Sequence, residues 1–250
     1  MIEEFNSVAD DFFVNLNLQT TLPLPDSRET ILHFCEAVQK RFGSMRNFYR
    51  REGSREYVLE GDHDSGSYQW LELHKNRLAA GCFNPPSFSR AHQLHQWLLE
   101  HSIYYLGLSP LDIECLDVLY GFNLDFVGNR DAIVAEALLN GSPLAALALE
   151  EGAKTIEFEP SMVIALDEGE HLQARLSLET RGSSYQTRTG QYEDQPISVY
   201  FTVRRYSQPE KLLELKSAFT EQCDTCEDIS SRIVIPNVVR PIATAIATAQ

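Results

Sequence analysis

The sequence predicts an α+β protein in which an antiparallel sheet carries helices on one face. Three observations predict this class. Short stretches of strand-like alternation are joined by hairpin signals. Amphipathic helices stand before and after the first set of strands. The order of elements then starts again beyond residue 110.

The stretch 12–22, FFVNLNLQTTL, alternates over its first half as a half-buried strand does, and Pro23 and Pro25 end it. Asp26 or Ser27 caps a helix in which Ile31, Phe34, Cys35, Val38 and Phe42 fall on one face, and Gly43 stops it. Segments 47–51 and 56–60 flank Glu52-Gly53-Ser54, a hairpin signal. The run 61–66, Gly-Asp-His-Asp-Ser-Gly, is a turn. Strand 68–74 has an ambiguous buried face: Tyr68, Trp70 and Glu72 share one side, Gln69, Leu71 and Leu73 the other. Lys75-Asn76 turns the chain into 77–83. Pro85-Pro86 breaks the sheet, and Ser87 or Ser89 caps a second helix with Ala91, Leu94, Leu98 and Tyr105 inside.

The second cycle runs in the same order. Strand 114–127 is followed by a helix, 130–139, capped by Asn129. Ser142-Pro143 restarts that helix, which is expected to reach Glu151. Strands are expected at 154–159, 162–167, 172–181 and 197–206. A helix opened by Pro209 places Leu212, Leu215 and Phe219 on one face. A final strand spans 232–239, and the tail PIATAIATAQ frays. Each half thus reads β-α-β4-α, divided into 1–110 and 111–250 and packed as one continuous body. Val14-Asn15-Leu16-Asn17-Leu18 matches Phe122-Asn123-Leu124-Asp125-Phe126 at an offset of 108 residues. A tandem duplication is the expectation. In element order alone, this arrangement resembles the TATA-binding-protein-like fold, itself a duplicated β-α-β4-α unit. The resemblance implies a shape, with two halves joined edge to edge, and nothing about activity.

Composition limits function. Apolar residues make up 43% of the 250 and charged residues 23%, values of an ordinary globular chain. The net charge of −15 is uneven: 10 basic and 14 acidic residues in 1–108, against 11 and 22 in 109–250. Such a field repels phosphate backbones and anionic lipid and suits a cationic partner. No apolar run is long enough for a membrane helix, and the acidic start does not read as a signal peptide. Five sparse cysteines fit a reducing, cytoplasmic setting rather than a disulfide framework.

No constellation of residues carries obvious chemistry. Cys223-Asp224-Thr225-Cys226 follows the last predicted helix among Glu221, Glu227 and Asp228, which disfavours a thiolate, and it lacks two partners for a zinc site. His92 and His95 read as exposed. Glycines fall mainly in turns. Asp62-His63-Asp64 combines a base with two carboxylates, but a turn needs the same residues. Arg50 and Arg51, in the basic window 40–55 with Phe48, Tyr49 and Tyr57, could hold an anion or stack on bases. The candidate ligand-binding residues are Asp62, His63, His74, Arg77, Arg50 and Arg51, with no metal and no cofactor. The expected function is a non-enzymatic protein-interaction or scaffold module that binds another protein or itself as a homodimer. The alternatives are a small-molecule site between the halves and weak nucleic-acid binding through Lys40–Arg55, which the charge makes unlikely.

Overall fold

The computed structural model describes residues 2–148, 150, 152–208 and 212–249. Its strands are β1 (Asp11–Thr20), β2 (Asn47–Arg50), β3 (Tyr57–Glu60), β4 (Tyr68–Leu73), β5 (Arg77–Phe83), β6 (Ile113–Asp125), β7 (Ser161–Ala165), β8 (Leu172–Glu179) and β9 (Pro196–Tyr206). They form one antiparallel sheet in the order β2-β3-β4-β5-β1-β6-β9-β8-β7. The helices are α1 (Ile2–Ser7), α2 (Arg28–Arg41), α3 (Phe88–Tyr105), α4 (Arg130–Leu139), α5 (Ala145–Ala148), α6 (Ser184–Thr189), α7 (Leu215–Ile229) and α8 (Arg240–Ala249). The α+β class with an antiparallel sheet is therefore as the sequence predicts.

Local chemistry sets the helix starts. Ser27, Ser87 and Asn129 accept hydrogen bonds from the backbone N–H of Thr30, Arg90 and Ala132, which satisfies otherwise orphaned donors. Strict alternation in β1 buries Phe12, Val14, Leu16 and Leu18 on the helix side. Opposite them on β6 stand Phe122, Tyr120, Val118 and Leu116, all buried. Phe5 of α1 and Phe88 of α3 pack their rings against Phe12 and Tyr120. Helix α7 is pinned to the same face by Gln222, whose Nε2 donates to the carbonyls of Leu116 and Val203 at 2.8 Å each.

Several expectations are corrected. Segment 154–159 is not a strand, so the second half has three strands after its helix, not four. Its polar groups are taken by side chains instead: Phe158 N donates to Asp131, Asn129 donates to the Thr155 carbonyl, and Glu159 accepts from Thr180 N and Arg181 N. The buried Arg130 fastens the facing loop by donating to the carbonyls of Thr180 and Glu193 at 2.5 and 2.7 Å. Segment Ser230–Val239 is π-helical rather than a strand, and it runs from α7 into α8. Its buried Val234, Ile235, Val238 and Val239 recur at helical spacing, and Pro236 sits within it. The tail does not fray, because Ile242, Ala245 and Ile246 of α8 are buried in the core. Pro209 and Glu151 lie outside the described residues.

The histidine and cysteine readings also change. Helix α7 packs over α3 and covers the face that carries His92 and His95. His95 is fully buried beside Phe219, and His92 is half-buried, with Nε2 3.2 Å from the Tyr120 hydroxyl. Cys223 and Cys226 lie inside α7 rather than after it, both buried, and burial pushes both thiols far up. Burial lowers His92 to about 4, against an opposing pull from Asp224. Burial, aided by His92, lowers His95 to about 3. An unfolded chain takes up these protons first as pH falls below about 6.5, so the folded state loses stability from there down towards the lowered values. The slope is at most about 1.4 kcal/mol per pH unit per ring. Replacing His95 with Leu is expected to shrink the loss of unfolding free energy between about pH 7 and 5 in urea titrations. An unchanged loss would contradict this account.

Candidate functional site: the helix-free face of the sheet

The side chains of β1 that point away from the core are Asp11, Phe13, Asn15, Asn17 and Gln19, each half-buried. Pairing register carries this face across the sheet. Phe13 stands opposite Phe83 on one side and Gly121 on the other; Phe83 is opposite Tyr68, and Gly121 is opposite Tyr200. The rings form a continuous ladder. Tyr200 meets Phe13 edge-on at 6.1 Å between centroids, Phe13 stacks on Phe83 at 6.1 Å, Phe83 on Tyr68 at 5.1 Å, and Tyr68 on His63 at 4.1 Å. All five rings remain partly or largely exposed.

Two strand glycines leave room for side chains on this face, Gly121 within the ladder and Gly81 beside it. A Cβ at Gly121 would run into the Phe13 ring, and one at Gly81 would run into the Trp70 indole and Asn15 Oδ1. Both glycines lie within strands, as their segments are expected to, and each is a close approach of a ring to backbone. Asn15 Oδ1 is buried there without a hydrogen-bond partner.

Ion pairs flank the rings. On β6 and β9, Asp117 receives Arg204 in a two-pronged pair, Nε to Oδ1 and Nη2 to Oδ2 at 2.7 Å each. That hydrogen-bonded carboxylate raises the Arg204 guanidinium above its ordinary value. Arg181 donates to the Tyr200 hydroxyl at 2.8 Å and the Ser198 hydroxyl at 2.9 Å, and pairs with Glu179. At the other end His74 stands between two carboxylates, Nδ1 3.1 Å from Glu56 and Nε2 2.9 Å from Glu72. Arg77 Nη2 lies 2.9 Å from the same Nε2. Arg51 pairs with Glu72 and with Glu56. The hydrogen bond from His74 holds the Glu72 carboxyl below its ordinary value, against its burial.

Three of the six ligand-binding candidates therefore converge: Arg51, His74 and Arg77. Glu56 and Glu72 pair with Arg51 and His74, and Arg77 meets the group through the His74 ring. The other three do not join them. Arg50 turns back to the Ser54 carbonyl and lies over the Tyr57 ring. Asp62 caps the short 3-10 turn His63–Ser65 by accepting from Asp64 N at 3.0 Å. His63 pairs with Glu60 and ends the aromatic ladder. In the basic window, Arg46 is spent on the Gly43 carbonyl and Arg55 on Asp26. Among the described residues, no three His, Cys, Asp or Glu side chains are placed to hold a metal ion. A groove of about 430 Å³ lies between α3 and the start of α7, on the helix side, walled by Leu99, Ile103, Leu215 and Phe219. None of the six candidates lines it.

The ladder residues Phe13, Phe83 and Tyr200 were missed from the sequence. Two signals were available: an aromatic in the polar phase of FFVNLNLQT, and lone glycines at 81 and 121 inside strand patterns. No known family model matches the chain, and no curated protein matches it. No helix among the described residues is long and apolar enough to cross a membrane.

Gly121→Ala is expected to cost roughly 1–3 kcal/mol of unfolding free energy by driving a methyl group into Phe13. In a Phe13→Ala background the same change is expected to cost close to nothing. Equal costs in the two backgrounds, read from urea denaturation, would show that the glycine is not needed for the ring.

Proposed function

We propose that this chain is a non-catalytic protein-interaction module that receives a partner on the helix-free face of its sheet. The observation that carries the reading is the half-exposed ladder Tyr200–Phe13–Phe83–Tyr68–His63. Aromatic anchors bury much area for little lost rotamer freedom, and they favour the centres of interfaces. Here they cross the sheet from β9 through β1 to the end of β5 and the start of β4, with ion-paired Arg51, Arg181 and Arg204 beside them as polar flanks. The same geometry suits a binder better than a catalyst. The acidic groups beside the ladder are each engaged by a neighbour, Glu56 and Glu72 by Arg51 and His74, and Asp117 by Arg204.

A tandem origin belongs to this reading. Its support is the strand order, which runs outward in the same sense from β1 and from β6. Phe13 and Gly121 also stand opposite each other at the 108-residue offset of the sequence match. On this view units 1–110 and 111–250 share a TATA-binding-protein-like order, the second having lost one strand.

A photo-crosslinking residue placed at Tyr68 is expected to capture a discrete partner in cells, and a Phe83→Asp change is expected to abolish that product. The same residue at the exposed Tyr104 on the helix side should capture nothing of that mass. Equal products from both positions, or none from Tyr68, would refute the reading.

A further inference from the structure

The two edges of the sheet differ sharply. Edge strand β2 is short and sits among Arg46, Arg50 and Arg51, the kind of charge that discourages strand pairing. Edge strand β7, Ser-Met-Val-Ile-Ala, carries no charge, and all five residues are exposed. Met162, Val163 and Ile164 are 66%, 54% and 48% exposed. Met162 and Ile164 pair with Leu176 and Ala174 of β8, so they lie on the helix side of the sheet, where nothing among the described residues covers them.

The ladder register shows which backbone groups are free. Leu166 N donates to the Leu172 carbonyl and Leu178 N to the Pro160 carbonyl, so positions 160, 162, 164 and 166 face β8. Ser161, Val163 and Ala165 consequently present N–H and C=O outward. An uncharged edge with outward donors and acceptors is a template for an added strand.

Charge selects the occupant. Glu157 and Glu159 precede the strand, and Asp167, Glu168 and Glu170 follow it. A second copy pairing β7 to β7 in antiparallel fashion would set these acids against each other. We infer that β7 accepts, as a tenth strand, an extended segment of a partner protein that is apolar at alternate positions and carries Lys or Arg at both ends. The site is separate from the aromatic ladder, so either proposal can fail alone.

The test uses a fluorescent nine-residue peptide with alternating Val and Thr at its centre and two Lys at each end. A control peptide carries Glu at those ends. Binding to the full chain is read by polarisation, and self-association by sedimentation. The expected result is binding of the Lys-ended peptide only, weakened at least about tenfold by high salt. Val163→Pro is expected to weaken it at least about tenfold as well, because Pro removes an outward N–H and leaves the β8 ladder intact. Phe83→Asp is expected to leave it unchanged, and circular dichroism checks that each variant is folded. Three outcomes would overturn the inference: no binding of the Lys-ended peptide, equal binding of both peptides, or indifference to Val163→Pro. A dimer of the chain abolished by Val163→Pro would overturn it too, by making a second copy the occupant.

Discussion

Strand β1 is paired on both sides, with β5 from Phe13 to Gln19 and with β6 from Asp11 to Thr20. The β1–β6 pairing joins what would otherwise be two small sheets. Its core side sets Phe12 against Phe122, Val14 against Tyr120, Leu16 against Val118 and Leu18 against Leu116. These residues are fully buried, and they are the floor on which Phe5, Phe88 and α7 rest. Separating the strands would expose two long edges and split the aromatic centre of the core. Cross-strand pairs of this kind are the unit of sheet stabilisation, and here they also unite the two halves.

The other side of the same seam carries the candidate site. Because side chains alternate, the register that buries Phe12 and Val14 necessarily presents Phe13 and Asn15. Gly121 lies opposite Phe13 and leaves room for its ring to bridge between Tyr200 and Phe83. Core and candidate face are thus the two sides of one hydrogen-bonded ladder. Their coupling explains why a methyl group at position 121 would be felt on both.

Much of the first half was legible in the sequence, because its signals are local. Serine caps, a 3.6-residue apolar stripe and hairpin turns act over a few residues, and Ser27, Ser87 and the Ile31–Val38 face sit where those rules put them. The second half departs where tertiary contacts decide. Segment 154–159 has strand-like composition, but Asp131, Asn129 and Thr180 claim its polar groups. Segment 232–239 is rich in β-branched residues, yet its apolar positions close a helical surface over the core. His95 reads as solvated beside Gln93 and Gln96, yet it is buried between Phe219 of α7 and the Ala80 backbone of β5. In the site, Arg51, His74 and Arg77 were picked out singly, whereas the ladder arises from register between distant strands, which no window of sequence contains.

Native-state hydrogen exchange along β1 and β6 tests most directly whether the seam unites the molecule. The account predicts that these amides exchange only through global unfolding, with the same free energy as the interior amides of β4, β5 and β9. Seam amides that open at a clearly lower free energy, while both half-sheets stay protected, would contradict it.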